Sequence, residues 1–466
     1  MIMIKFQKQY HKQNTPFNWK TPTTLAIFGA TLFGSSLTEN TIDDKNKKKE
    51  AGAKRSDLPT YTAEEVSKHD NKSSFWVTYK HGVYDVTKFL PSHPGGEQIM
   101  NAAGLSIEPF WNVYGMHKTE EVFELLENFR IGNLHDDDVV DHSDEELWVK
   151  EPLRDKRLIV KTAKPFNAET PPEHLIAHFD TPNELFYVRQ HMPVPELDEG
   201  SHRLRVIVQA GTGNDAEFSL EQLGQMPQTT VRATLMCAGN RRSDMTKQVP
   251  KPVKGISWAG GAVGTALWGG VLLRDLLLHC AVDLDNPGDK HVIFTGADVD
   301  ATGTKFSTSL PLSAVCDRDS RILVCTRMNG TPLPADHGRP LRLVVPGAPA
   351  VRSVKWLESI TISTEESSSH WHKKDYRSFN SSKDWDTADF EKAPPVYSLP
   401  VTSAICYPAD GDTVKVENGC IEVKATPTTG SPFTSRGDGR LSPAALGQAQ
   451  YCGPTCAHYG NIAVLK

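Results

Sequence analysis

Asp136, Asp137, Asp138, Asp141, Asp144, Glu145 and Glu146 crowd one short stretch of the chain. Like charges at this density repel and extend a backbone. The stretch therefore predicts a hydrated tether over 136–149 and excludes one continuous core; an acidic helix cap is the lesser alternative. The chain must then fold as separate units on either side. At 466 residues, 38% hydrophobic and 23% charged, it is long enough for two to four domains. A net charge of −6 offers no basic face to nucleic acid. Eight irregularly spaced cysteines read as reduced thiols, not as a disulfide framework. Cys452 and Cys456 lack the spacing of a zinc knuckle.

The first residues carry Lys5, Lys8, Lys12 and Lys20 and no acid before Glu39. An apolar, hydroxyl-rich run follows from Pro22 to Leu37, interrupted by Gly29 and Gly34, too short for a membrane span. A basic, acid-free leader before an apolar sorting segment predicts mitochondrial import to the intermembrane space. A secretory signal is the rival reading. Residues 1–56 are thus a targeting segment and a lysine-rich linker.

Residues 57–135 form the first unit. Phe89-Leu-Pro-Ser-His93-Pro-Gly-Gly96 places an imidazole in a tight turn, and His117 follows at a distance of 117 − 93 = 24 residues. Neutral imidazole suits haem iron. Ile99, Met100, Ala102, Ala103, Phe110 and Trp111 lie between the two and are apolar enough to line a haem slot. Tyr61-Thr-Ala-Glu-Glu-Val66, Val83-Tyr-Asp-Val-Thr87, the His-Pro-Gly-Gly turn and the second histidine together resemble the cytochrome b5 family. The resemblance implies that His93 and His117 fill both axial positions of a b-type haem, which then carries electrons and binds no substrate. A tether suits such a unit if it must swing between donor and acceptor.

From 150 to 400 the pattern changes to short alternating runs. Arg203 to Val208, Thr229 to Met236, Ile293 to Thr295, Leu341 to Val345 and Ile360 to Thr364 read as strands. Leu267 to His279 reads as the clearest helix. Gly211-Thr-Gly213 and Gly260 to Gly264 lack the strand–turn–helix context of a dinucleotide fingerprint and read as turns. Cys237-Ala-Gly-Asn-Arg-Arg-Ser-Asp-Met245 sets a soft thiolate beside two guanidiniums. Thiolate suits a soft or high-valent metal, and an arginine fork suits an oxyanion.

Phe186-Tyr-Val-Arg189-Gln-His191-Met-Pro-Val-Pro195, the Cys237 block, Met328-Asn-Gly330 with Pro334-Ala-Asp-His337, Arg352-Ser-Val-Lys355-Trp356 and His370-Trp371-His372-Lys-Lys-Asp375-Tyr376 occur in order. They resemble the molybdenum domain of the eukaryotic sulfite oxidase family. The resemblance implies an α+β multidomain protein, a small b5-like haem domain before a mixed α+β molybdopterin domain. It implies Cys237 as the protein thiolate on molybdenum, with Arg189, Arg242 and Tyr376 lining an anion pocket and Trp258 as its wall. Tyr187, Val188, Arg189, Gln190, His191, Asp298, His337, Arg342, Ser353, Val354 and Lys355 fall where the family holds the pterin. The implied activity is oxidation of sulfite, with electrons passed one at a time through the haem to cytochrome c.

Gln190 stands where asparagine is usual, Trp258-Ala-Gly-Gly where a Trp-Arg-Thr-Gly-like run is common, and Leu267 where an arginine often precedes the tryptophan. Residues 401–424 begin like the family's immunoglobulin-like dimerisation domain. The Thr/Ser/Gly/Pro-rich residues after Lys424 are expected to lack strands, so 401–466 reads as a truncated or divergent remnant, and the family's homodimer is not expected. Two rival functions are a nitrate-reductase-like molybdoenzyme and a non-catalytic b5-type electron carrier with a cofactor-free large domain.

Overall fold

The computed structural model describes residues 50–93, 96–142, 148–249, 253, 255–317, 319–380, 382–383, 387–400, 402–409, 412–415, 420–428 and 449–452. The leader, Pro94 and Gly95 of the histidine turn, and Asp144 to Glu146 lie outside these residues. No helix among them is long and apolar enough to cross a membrane.

The first unit is built on a five-stranded sheet of β1 (Thr60–Tyr61), β2 (Asp70–Asn71), β3 (Ser74–Tyr79), β4 (Gly82–Asp85) and β5 (Arg130–Leu134), in the order β1-β5-β4-β3-β2. Thr62 starts the first helix, Ala63–Ser67, through a capping box: its side chain accepts from Glu65 N, and Glu65 reaches back to Thr62 N. Phe75, Tyr84, Leu90, Ile107, Trp111 and Leu126 form the unit's apolar core.

The described part of the acidic run is folded. Asp136–Asp138 makes a single 3₁₀ turn. Asp136 lies 2.6 Å from Lys54 Nζ, and Asp138 accepts from Ala63 N at 2.8 Å. Asn112 donates to His142 O at 2.6 Å, and the buried Trp148 donates to Asn112 O at 3.0 Å. These contacts hold Asp136, Asp138 and His142, while residues 143–147 lie outside the described residues. Val113 joins the main core of the next domain, and Tyr114 packs against it.

That domain holds a small sheet of β6 (Ile159–Thr162), β7 (Asn167–Glu169) and β8 (Val188–Arg189). A five-stranded sheet joins β9 (Arg203–Val208), β10 (Ala216–Ser219), β13 (His291–Val299), β14 (Lys305–Pro311) and β18 (Leu357–Ser363), in the order β10-β9-β18-β13-β14. Another joins β11 (Gln228–Met236), β12 (Val263–Leu272), β15 (Leu323–Met328) and β16 (Thr331–Pro332), with β17 (Arg342–Val344) also on β15. Alternation places one face of β13 in the core, where Val292 and Phe294 are fully buried.

Two expectations need correction. Leu267 to Leu272 is not helical but completes β12, which pairs with β11 on one side and β15 on the other. The helix is only Leu273–His279. Gly269 and Gly270 weaken a helix, and at Gly270 the neighbouring strand is so close that a Cβ would sit 2.1 Å from Val324 O. Strands also continue beyond Lys424: β19 (Thr402–Tyr407), β20 (Cys420–Thr428) and β21 (Ala449–Cys452) form an antiparallel sheet. Ile421 and Val423 supply β-branched residues that favour the second of these.

Candidate active site and haem-binding site

His93 closes the 3₁₀ turn Leu90–Ser92, and His117 ends the turn Gly115–His117. Their rings face each other with centroids 6.2 Å apart and planes 12° from parallel. Nδ1 of His93 donates to Gly96 O and Nδ1 of His117 to Tyr114 O, each at 2.9 Å. That tautomer puts the lone pair of each imidazole on Nε2. Burial lowers the pKa of His117, keeping it neutral. Two metal–nitrogen bonds of about 2 Å, added to the two ring radii, match the observed separation. Trp111 stacks on His117, and Ile99, Met100, Ala103 and Phe110 pack against the core beside it. The donor set fits an axially ligated haem.

The second centre begins where β11 ends. Cys237 is held by its own N–H to Ala262 O at 3.0 Å and by Asn240 N to its carbonyl at 2.9 Å. Gly239 N donates to Cys237 Sγ at 3.4 Å. Arg242 packs beneath this turn and donates to Ile256 O at 2.6 Å. A Cβ on Gly239 would lie 2.4 Å from Arg242 Nη2, so only glycine admits the guanidinium here.

One cavity is lined by Tyr187, Arg189, Gln190, His191, Cys237, Asp298, His337, Arg342, Ser353, Val354, Lys355 and Tyr376. Three expected residues stand elsewhere. Val188 is buried with Leu158 and Ala168. Trp258 is buried behind Cys237 as part of its packing, not as a cavity wall. Arg242 does not line the cavity, although its charge acts on the Tyr376 hydroxyl.

The cavity is electrically unbalanced. Arg342 is 4% exposed and donates only to carbonyls, those of His337, Ser353 and Leu343. Lys355 Nζ donates to Arg189 O at 3.2 Å and Asp336 O at 2.9 Å. Arg189 donates to Asn167 Oδ1 at 3.2 Å and to Gln190 O. Among the described residues, none of these three cations is within ion-pairing distance of a carboxylate. Burial lowers the pKa of Arg342 to about 10 and lowers that of Lys355, while it raises that of Asp298. Burial, then Arg189 and Lys355, push His191 well below its usual range, and burial lifts Tyr376 to about 12. Tyr376 Oη and His191 Nε2 are 3.3 Å apart.

Asn167 and Asp336 hold residues of the cavity in place, and the sequence did not single them out. Asn167 Oδ1 receives both Arg189 and Gln190 N, the latter at 2.8 Å. Asp336 accepts from Gln190 Nε2 at 2.6 Å and from Arg154 Nη2 at 2.8 Å. Its position beside His337 in a recognised block was the available signal; Asn167 had none.

These features test the fit of a molybdenum–pterin group. Gln190 Oε1 and Asp298 Oδ1 are buried without a hydrogen-bond partner and both line the cavity, so a polar ligand would satisfy them. The buried Arg342 and the half-buried Arg189 and Lys355 suit a phosphate. Among the described residues no cluster of three or more His, Cys, Asp or Glu is placed to hold a bare metal ion. The residues fit.

Burial also lowers the pKa of His337 to about 4. Because this folded value lies below the unfolded one of about 6.5, its contribution to stability is complete above pH 6.5. It is lost as pH falls towards 4, by about 3 kcal/mol. The thermal midpoint should accordingly fall less between pH 7 and pH 4.5 in His337→Asn than in the parent. Equal falls in the two proteins would show that this histidine does not set the acid limit.

Residues 62–135 match the family described as "Cytochrome b5-like Heme/Steroid binding domain". Residues 191–371 match "Oxidoreductase molybdopterin binding domain". Facing imidazoles in the first and a cysteine at a cationic cavity in the second define the class: a molybdopterin-binding oxidoreductase domain joined to a b5-type haem module. Sulfite oxidase from Gallus gallus is 43% identical over 360 residues, which cover 76% of this chain and 78% of that protein. The chain belongs to the sulfite oxidase family. Mitochondrial sulfite oxidases from Drosophila melanogaster and Homo sapiens are 47% and 44% identical over 368 residues, 78% of this chain. The chain spans 63% and 66% of the length of these two curated relatives.

Proposed function

We propose that this protein oxidises sulfite to sulfate and passes the electrons singly through a haem held by His93 and His117 to cytochrome c, in the mitochondrial intermembrane space. The observation that carries this reading is the cavity that gathers Cys237 and Tyr376 with Arg189, Arg342 and Lys355, three cations that no carboxylate pairs among the described residues. Gln190, His191, Asp298, His337, Arg342, Ser353, Val354 and Lys355 hold the pterin, and Cys237 ligates its metal. When bound, the molybdenum–pterin group supplies two-electron oxygen-transfer chemistry and the haem supplies one-electron storage. Arg189 attracts the sulfite anion and orients its oxygens, because a fixed guanidinium in a partly buried site is poorly screened. Asn167 keeps that guanidinium from turning away. Tyr376, whose raised pKa keeps it protonated at neutral pH, donates a hydrogen bond to the same anion. Arg242 adds positive potential from beneath the Cys237 turn. His191, held neutral, sits beside the Tyr376 hydroxyl and carries no charge that would compete for the anion.

Sulfite-dependent reduction of cytochrome c by the purified, cofactor-loaded protein tests the reading. Arg189→Gln should raise KM for sulfite about tenfold to a hundredfold, since it removes a charge-assisted contact of roughly 1.5–3 kcal/mol. Sulfate should compete with sulfite in the parent and much less in the variant. An unchanged KM would place the anion clamp elsewhere.

A further inference from the structure

Tyr376 adopts φ = 53°. For a bulky residue this left-handed conformation persists only where its surroundings over-determine it. The surroundings here are four side chains to which the proposed function assigns no role, and none of them lines the cavity. Arg352 is fully buried and donates to Tyr376 O at 3.3 Å, to Val396 O at 3.1 Å and to Thr308 Oγ1. Its Nη1 also meets Nδ1 of the fully buried His372 at 2.8 Å. Arginine only donates, so Nδ1 accepts and the imidazole proton sits on Nε2. Nε2 faces Ser309 Oγ at 3.2 Å and Glu366 Oε2 at 3.4 Å. Glu366 Oε2 in turn accepts from Arg377 Nη2 at 2.9 Å, and Arg377 donates to His372 O and Ala393 O, each at 3.0 Å.

We propose that Arg352, His372, Glu366 and Arg377 are positioning residues for Tyr376, a network that sets the tyrosine hydroxyl at the substrate cavity. The inference rests on the reading of that cavity as the sulfite site. Arg352 grips the carbonyl of the strained residue, and Arg377, the residue that follows it, is tied down by His372 O, Ala393 O and Glu366. His372 and Glu366 join the two arginines, so the clamp acts as one unit. Burial and Arg352 hold His372 neutral, lowering its pKa to about 3, which keeps Nδ1 an acceptor across the physiological range. A protonated or apolar residue at 372 leaves a buried Arg352 donor without its acceptor, and the turn relaxes.

The test compares the cofactor-loaded parent with His372→Leu, His372→Gln, Tyr376→Phe and the double variant His372→Leu/Tyr376→Phe. KM and kcat for sulfite are read beside haem content, molybdenum content and thermal midpoint. Leucine removes both ring contacts, whereas glutamine offers a carbonyl to Arg352 and an amide towards Glu366. The expected result is a rise in KM of about tenfold for His372→Leu at parental cofactor content, with His372→Gln within about threefold of the parent. In the Tyr376→Phe background the leucine substitution should change KM by less than about twofold, because residues acting as one unit are not additive. If His372→Leu does not fold, Glu366→Gln, at a partly exposed carboxylate, takes its place in the same cycle. Multiplicative effects in the double variant, or a parental KM in His372→Leu, overturn the proposal while leaving the sulfite site intact. A parental KM in Tyr376→Phe overturns the tyrosine's role at that site and the network's purpose with it.

Discussion

Cys237→Ser is expected to reduce sulfite oxidation by at least about a thousandfold, roughly 4 kcal/mol of lost transition-state stabilisation, without disturbing the haem spectrum. Serine is close in size to cysteine, so the contacts of Ala262 and Asn240 with the Cys237 backbone should survive. The hydroxyl, however, is a hard, weakly acidic ligand where a soft thiolate is needed. Gly239 N–H, which donates to Sγ, cannot by itself ionise an alcohol. The haem lies in a separate core, built on Phe75, Tyr84 and Trp111, and should report normal folding of the first unit. Retention of activity within about tenfold, a loss of only 1.4 kcal/mol, would refute the thiolate's role.

His117→Ala should release haem or convert it from low spin to high spin. Cytochrome c reduction should be lost, while sulfite oxidation coupled to a small artificial acceptor persists. The reasoning is geometric: the two imidazoles are nearly parallel and 6.2 Å apart, and a backbone carbonyl sets the tautomer of each. Removing one leaves a single axial donor and an open site beside Trp111. An unchanged absorption spectrum in the variant sinks the assignment of His117 as a ligand.

Much of this was legible in the chain itself. Thr62 and Glu65 mark a helix start, because a capping box needs only residues three apart. Alternation in Arg203 to Val208 and Thr229 to Met236 marks strands, because side chains alternate across a sheet whatever lies beyond it. The histidine turn and the Cys237 block were readable for the same reason: their chemistry is held in a few consecutive residues. Most of the ligand set expected from resemblance does line one cavity.

What the sequence left open depended on partners distant along the chain. Leu267 to Leu272 looks helical until β11 and β15 flank it and demand a strand. The acidic run looks extended until Lys54 and Ala63 N meet Asp136 and Asp138. Asn167 and Asp336 acquire their roles only when Arg189, Gln190 and Arg154 are brought to them across the fold. Arg242 follows Cys237 by five residues and Trp258 by twenty-one, yet packing directs one beneath the turn and buries the other behind it. Local propensity, turn chemistry and ligand type are written in neighbouring residues, so the sequence determined the two modules and their key donors. Pairing, burial and the balance of charge are sums over the whole fold, and only the tertiary structure decided them.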